Sequence, residues 1–212
     1  MAVLYDYWRS SASYRVRIAL NLLGIKYQSI SVDLLSKQQR SAEHLARNPQ
    51  GLVPVLEIDG QTLTQSLAII EYVNDTRSGT LLPSAPLARQ QVHSLAYTIA
   101  MEIHPICNPL VVAEVVAVSG GGDETRNAWM KKFIGQGLAA FAAVRQQQAP
   151  TSDFCCGDTP SLADLCLVPQ LYNAKRWGAD LSELGELVAI GERCEALPAF
   201  AAAHPDAVKP SD

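Results

Sequence analysis

"AVLYDYWRSSASYRVRIALNLLGIKYQSISVDL" (residues 2–34) decides how the chain folds. Residues 2–7 are short and β-prone. Beyond them Val16, Ala19, Leu20 and Leu23 recur at i, i+3, i+4 and i+7, the period of a helix face. Ser13 is placed to cap that helix and Gly24 to end it. Ile18 and Leu22 add a second apolar strip, so burial on more than one side is expected. "YQSISVDL" (27–34) then alternates as a strand. Strand, helix, strand is a βαβ unit and implies parallel pairing.

The same stretch raises a question of charge. Ser10, Ser11, Ser13, Arg15 and Arg17 gather at one helix N-terminus. Unpaired N–H groups there favour an anion or a thiolate, and arginines face the unfavourable end of the helix dipole. One reading makes the serines extra donors for a bound anion. The plainer reading has Ser13 as a cap, Ser10 and Ser11 as loop residues, and solvated arginines. The dipole argument adds the expectation that Arg15 finds a carboxylate partner.

Reading outward, residues 36–48 are polar and fit a loop with a short helix. "VPVLEIDGQTLTQS" (53–66) reads as a hairpin about the turn "DG". Ser66 is placed to cap the next helix, "LAIIEYVNDT", where Ile69, Tyr72 and Val73 share a face. This order is the layout of a thioredoxin-type α/β domain over residues 1–77. "SGTLLPSAP" (78–86) has linker composition. Past it, residues 87–118, 124–148, 161–177 and 182–197 are helical in period, and no strand is evident. The expected organisation is a thioredoxin-like N-terminal domain followed by an all-helical domain over 87–212.

Composition narrows the function classes. The net charge of −4 excludes nucleic acid or an anionic membrane as the obvious partner, so any anion site is a local cluster. No run approaches the ~18 apolar residues of a membrane span. "MAVLYDYWRS" has no basic leader before an apolar region, so no signal peptide and a cytoplasmic location are expected. The five cysteines (Cys107, Cys155, Cys156, Cys166, Cys194) lack a metal-ligand spacing and read as reduced thiols.

Three further motifs bear on chemistry. In "GLVPVL" (51–56) a proline enters a strand. A cis Val53–Pro54 bond would turn the Val53 backbone groups outward to pair with a peptide; a trans proline would merely start the strand. In "TQS" (64–66) Gln65 and Ser66 stand where a carboxylate would meet a helix dipole, or where Ser66 simply caps. In "SLADLCLVPQ" (161–170) Ser161 and Asp164 have capping-box spacing, and Asp164 is assigned to structure rather than to catalysis.

Together "YWRSSASYRVRIALNLLGI" (7–25), "NPQGLVPVLEIDG" (48–60), "QSLAIIEYV" (65–73) and "GDTPSLADLCLVPQLYNAKRWGADL" (157–181) resemble the glutathione S-transferases, and within them the zeta class, which includes maleylacetoacetate and maleylpyruvate isomerases. The likeness runs from about residue 3 to 205. One position departs: the family pattern is commonly Ser-Ser-Cys, and here it is Ser10, Ser11, Ala12. A nucleophile from the protein at that spot is thereby removed, whereas one brought by glutathione is not.

The resemblance implies a homodimer that uses glutathione as cofactor and isomerises a maleyl-type dicarboxylate from cis to trans. By motif position, Ser10 and Ser11 match the residues near the glutathione sulfur and Val53 the backbone partner of the cysteinyl unit, with the Val53–Pro54 bond expected to be cis. Gln65 and Ser66 match the holders of the γ-glutamyl carboxylate, and Gln39 the residue near the glycyl end. His104 and Asn108 fall where the family lines its site. Arg9 and Arg176 match arginines suited to substrate carboxylates, while Arg15 and Arg17 are expected to pair with acidic groups near the domain junction or dimer interface. A conjugating transferase using the same thiolate and a non-catalytic glutathione- or ligand-binding protein are the alternatives. A hydrophobic-ligand binder would have no use for two pocket cations.

Overall fold

The computed structural model describes residues 1–148 and 151–210. Positions 149–150 and 211–212 of the expected helical domain lie outside the described residues. The chain divides into two compact units, one of Met1–Leu82 together with Ala196 onward, the other of Pro83–Glu195.

The first unit opens with β1 (Ala2–Asp6), α1 (Ser11–Leu22) and β2 (Tyr27–Ser31). It continues through α2 (Ala42–Arg47), the hairpin β3 (Val55–Ile58) and β4 (Gln61–Thr64), and α3 (Ser66–Thr76). The sheet order is β2–β1–β3–β4, with β1 parallel to β2 and antiparallel to β3. This is the thioredoxin-like layout. Asp59 and Gly60 both have positive φ (53° and 73°), the conformation a two-residue hairpin turn demands. Alternation along the strands divides the core. Leu4 and Leu56 are register partners and fully buried. Tyr5 and Val55 point to the other face, where they cluster with Val32. The Val53–Pro54 peptide is cis, as the family likeness implied.

The second unit holds α4 (Pro86–Tyr97), α5 (Pro109–Ser119), α6 (Asp123–Gln148), α7 (Leu162–Trp177) and α8 (Gly185–Glu195). The helical run expected over 87–118 is therefore interrupted. A π-helical stretch, Thr98–Ile103, follows α4, and Pro109 restarts the chain because it needs no N–H partner in a first turn. Among the described residues no strand follows Thr64. The C-terminal helices α9 (Pro198–Ala203) and α10 (Pro205–Val208) belong to the first unit. Arg17 Nε donates to the Ala203 carbonyl (3.0 Å) and Asn21 Nδ2 to the Ala199 carbonyl (3.0 Å), and α1 packs on both α3 and α9. Those contacts draw residues from Ala196 away from the helical stretch 87–212 in which the sequence pattern put them. They also explain why α1 is buried continuously from Ser13 to Leu20.

Two caps differ from expectation. Ser10, not Ser13, caps α1: its Oγ accepts from the Ser13 N–H (3.2 Å), and Ser13 itself is fully buried one turn in. At α3, Gln65 occupies the cap position with φ 69° and Ser66 is the first helical residue. In both cases the helix begins earlier than the apolar period, because packing rather than pattern sets the first turn.

Candidate active site

The N-termini of α1 and α3 carry most of the candidate residues of the first unit. Neither helix carries an acidic residue in its first turn, so no carboxylate of its own offsets the dipole there. At α1 the Ser10 hydroxyl is committed to the cap. Ser11, half-buried and first in the helix, takes no part in that cap, and Ala12 follows it. Arg9 stands just before. Its guanidinium lies 4.6 Å from the Trp8 ring centroid, and Nη2 donates to the Tyr7 hydroxyl (3.2 Å). Lys209 Nζ lies 5.7 Å from the same Trp8 ring, so two cations flank this aromatic residue.

At α3, Gln65 is exposed and its Nε2 donates to Gln50 Oε1 (2.8 Å). Gln50 belongs to "NPQGLVP", the loop that leads to Val53. Two side chains fix that loop through one carbonyl: Asn48 Nδ2 donates to the Leu52 oxygen at 2.9 Å, and His44 Nε2 lies 3.0 Å from it. Val53 packs beside the Tyr5–Val55 cluster. Gln39 sits in the turn Gln38–Arg40 with a buried Oε1 that has no partner among the described residues. This turn abuts the same loop at Gly51, where φ is +63° and a β-carbon would come within 3.0 Å of the Gln39 carbonyl.

The two arginines assigned to structure behave differently. Arg17 is buried and paired with buried Asp6 at 2.6 Å, and also donates to the Trp8 carbonyl (2.9 Å). Burial pushes the Asp6 carboxyl up, with Arg17 opposing. Arg15 has no carboxylate partner among the described residues, contrary to expectation. Among the described residues its one hydrogen bond runs from Nη1 to Ser66 Oγ (3.4 Å), while Nε and Nη2 are buried without partners. Neither Arg15 nor Gln50 was singled out for the site by sequence reading. For Gln50 the signal was its place in "NPQGLVP"; for Arg15 it was an unfavourable charge with no nearby acid.

The remaining candidates lie in the second unit. His104 is half-buried after the π-helical stretch. Asn108 caps α5, its Oδ1 accepting from the Leu110 N–H (3.0 Å). Arg176 is exposed in the last turn of α7, 5.0 Å from the Trp177 ring centroid. Asp164 is structural, as expected. Oδ2 accepts from the Ser161 N–H and hydroxyl (both 2.8 Å) and Oδ1 from the Cys155 N–H (2.8 Å), in a fully buried setting. The cysteines are free thiols, and burial pushes Cys107 up to about 11 and Cys156 up to about 12. Neither is a ready nucleophile at neutral pH.

A thioredoxin-like sheet with two anion-seeking helix ends, joined to a helical half, defines a class of protein, and the comparisons agree. The model described as "Glutathione S-transferase, N-terminal domain" matches residues 2–75, and "Glutathione S-transferase, C-terminal domain" matches 127–204. The chain belongs to the glutathione S-transferase family, and to its zeta class. It is 63% identical to maleylacetoacetate isomerase of Rhizobium meliloti (strain 1021) over 209 residues, 98% of each chain. It superposes on the holo structure of a maleyl pyruvate isomerase, a bacterial zeta-class glutathione S-transferase, with a TM-score of 0.95 and 37% identity over 99% of this chain and 100% of that one. A maleylacetoacetate isomerase from Methylobacterium extorquens AM1, crystallised with malonate and glutathione, gives 0.93 and 39% over 99% and 100%.

Proposed function

We propose that this chain is a glutathione-dependent cis–trans isomerase of a maleyl-type dicarboxylate, maleylacetoacetate or maleylpyruvate. The observation that carries the reading is the start of α1, where a helix end without acids, the uncommitted Ser11 hydroxyl and the Arg9 cation adjoin in sequence. Similarity to isomerases over nearly the whole chain supports it.

The residues present suit glutathione. The orphaned guanidinium atoms behind Ser66 and the acid-free end of α3 want an anion, as the γ-glutamyl carboxylate is. Bound glutathione supplies a thiolate that adds reversibly to the conjugated double bond, so that the bond rotates as a single bond before the thiolate leaves. Ser11 donates a hydrogen bond toward the sulfur, and the α1 dipole favours its negative charge. Ser10 holds the first turn in place. Gln65 and Ser66 hold the γ-glutamyl carboxylate, the Val53 backbone holds the cysteinyl unit, and Gln39 lies toward the glycyl end. His104 and Asn108 are assigned to the cofactor by motif position. Arg9 and Arg176 take the substrate carboxylates, since a guanidinium orients a carboxylate through paired donors. Ala12 leaves the thiol chemistry to the cofactor alone. We assign cofactor binding mainly to residues 1–77, and the working form to a cytoplasmic homodimer.

The test is turnover of maleylpyruvate and maleylacetoacetate with and without glutathione. Glutathione-dependent formation of the trans isomer with full recovery of free glutathione is expected. Consumption of one glutathione per product would instead make the chain a conjugating transferase. Glutathione binding without turnover of either compound would make it a binding protein.

A further inference from the structure

Trp129, Phe133 and Gly137 stand four apart on α6 and so share one helix face. Trp129 Nε1–H donates to the Ile106 carbonyl (2.9 Å), and the Phe133 ring packs on the indole with centroids 4.4 Å apart. Gly137 faces buried Ile103: a β-carbon there would lie 2.5 Å from Ile103 Cδ1 and nearer still to Cγ1. One face of α6 therefore grips the chain at Ile103 and at Ile106, and His104 lies between the two grips. What they hold is an unusual turn. Thr98–Ile103 is π-helical, and the His104 N–H closes it on the Ile99 carbonyl (2.9 Å). Such a turn carries one residue more than an α turn and is rare. Drawing that residue back into a regular helix would rotate everything after it by about 100° around the axis, and His104 would leave its face.

We propose that Trp129 and Gly137 are positioning residues for His104, holding the π turn in register so that the imidazole meets the cofactor. The proposal rests on the assignment of His104 to glutathione. Gly137 leaves the room in which Ile103 sits where the π turn puts it. The indole N–H ties the carbonyl two residues beyond His104, and Phe133 keeps the indole in orientation. Both residues act through the turn, without touching the ligand.

The test is a double-mutant cycle on the full chain, read by calorimetry as the dissociation constant of glutathione. Trp129→Phe keeps an aromatic ring against Phe133 and removes the donor to Ile106. It should weaken binding roughly threefold to tenfold, the range of one hydrogen bond. His104→Ala should weaken binding at least as much. In the double variant the tryptophan change should add nothing, because its effect runs through an imidazole that is gone. Gly137→Ala should weaken binding more than Trp129→Phe does, since Ile103 must leave its place, and it too should add nothing once His104 is replaced. Should Gly137→Ala fail to fold, the tryptophan cycle still decides. Losses that multiply in the double variant overturn the proposal, since Trp129 would then serve the helical half in general. So does wild-type affinity in Trp129→Phe while His104→Ala binds weakly. If His104→Ala itself binds glutathione as the wild type does, it is the assignment of His104 to the cofactor that fails.

Discussion

Three helix N-termini in this molecule treat the same physical problem in two ways. At α7 the chain supplies its own anion: Asp164 is sealed in the interior and accepts from Ser161 and the Cys155 N–H. At α1 and α3 the first turns hold no acid, and the nearby cations Arg9 and Arg15 add to the positive field. An internally satisfied end is a device of the fold. An end that holds hydroxyls but no acid suits an anion that arrives from outside. The contrast separates a structural Ser–Asp pair at α7 from the serines at α1 and α3, which we propose serve the cofactor.

The sharpest way to break this comparison is to remove the internal anion. Asp164→Ala leaves several buried donors unmet, and should cost about 3–4 kcal/mol of unfolding free energy in denaturant titration. A loss under about 1 kcal/mol would mean that α7 does not depend on its box. Next come the cations assigned to substrate. Arg9→Met and Arg176→Met should each lower kcat/KM for the dicarboxylate roughly tenfold to a hundredfold, from a lost contact of about 1.5–3 kcal/mol. Glutathione affinity should hardly change, and the wild-type advantage should shrink as salt rises. Normal dicarboxylate turnover with lost glutathione binding would move these arginines to the cofactor site.

The two serines of α1 sharpen the contrast within one turn. Ser10→Ala should act on stability, by about 1 kcal/mol for a lost cap, read as a lower denaturation midpoint. Ser11→Ala should spare stability and instead raise the pKa of bound glutathione, seen as a shift in the thiolate absorbance titration and as slower turnover. Equal behaviour of the two would erase the division drawn from the cap geometry.

The smallest effect concerns the protein's own thiols. With Cys107 pushed to about 11 and Cys156 to about 12, the reactive thiolate is scarce at neutral pH. Alkylation of these two, followed by mass spectrometry, should speed up about tenfold per pH unit between pH 7 and 10, because the ionised fraction does so below the pKa. Isomerase turnover should be unchanged by brief alkylation at pH 7.5. Inactivation would implicate a cysteine despite Ala12.

Much of the fold was legible because it is local. The 2–34 period gave the βαβ unit, "DG" the hairpin turn, and the Ser161–Asp164 spacing the box at α7. The motif stretches also brought the candidate site residues into view, apart from Gln50 and Arg15. The sequence could not say that Ser10 rather than Ser13 would cap α1, that Asn108 Oδ1 would cap α5, or that Ala196 onward would join the first unit. Nor could it say which arginine of "YRVR" would meet an acid. Arg17 reaches Asp6 and the Ala203 carbonyl, whereas Arg15 reaches Ser66, 51 residues away, and no acid among the described residues. Period and turn chemistry are fixed within a few residues of chain. The balance of a buried charge depends on which distant groups the folded backbone carries to within hydrogen-bond distance, and that exists only once the tertiary structure has formed.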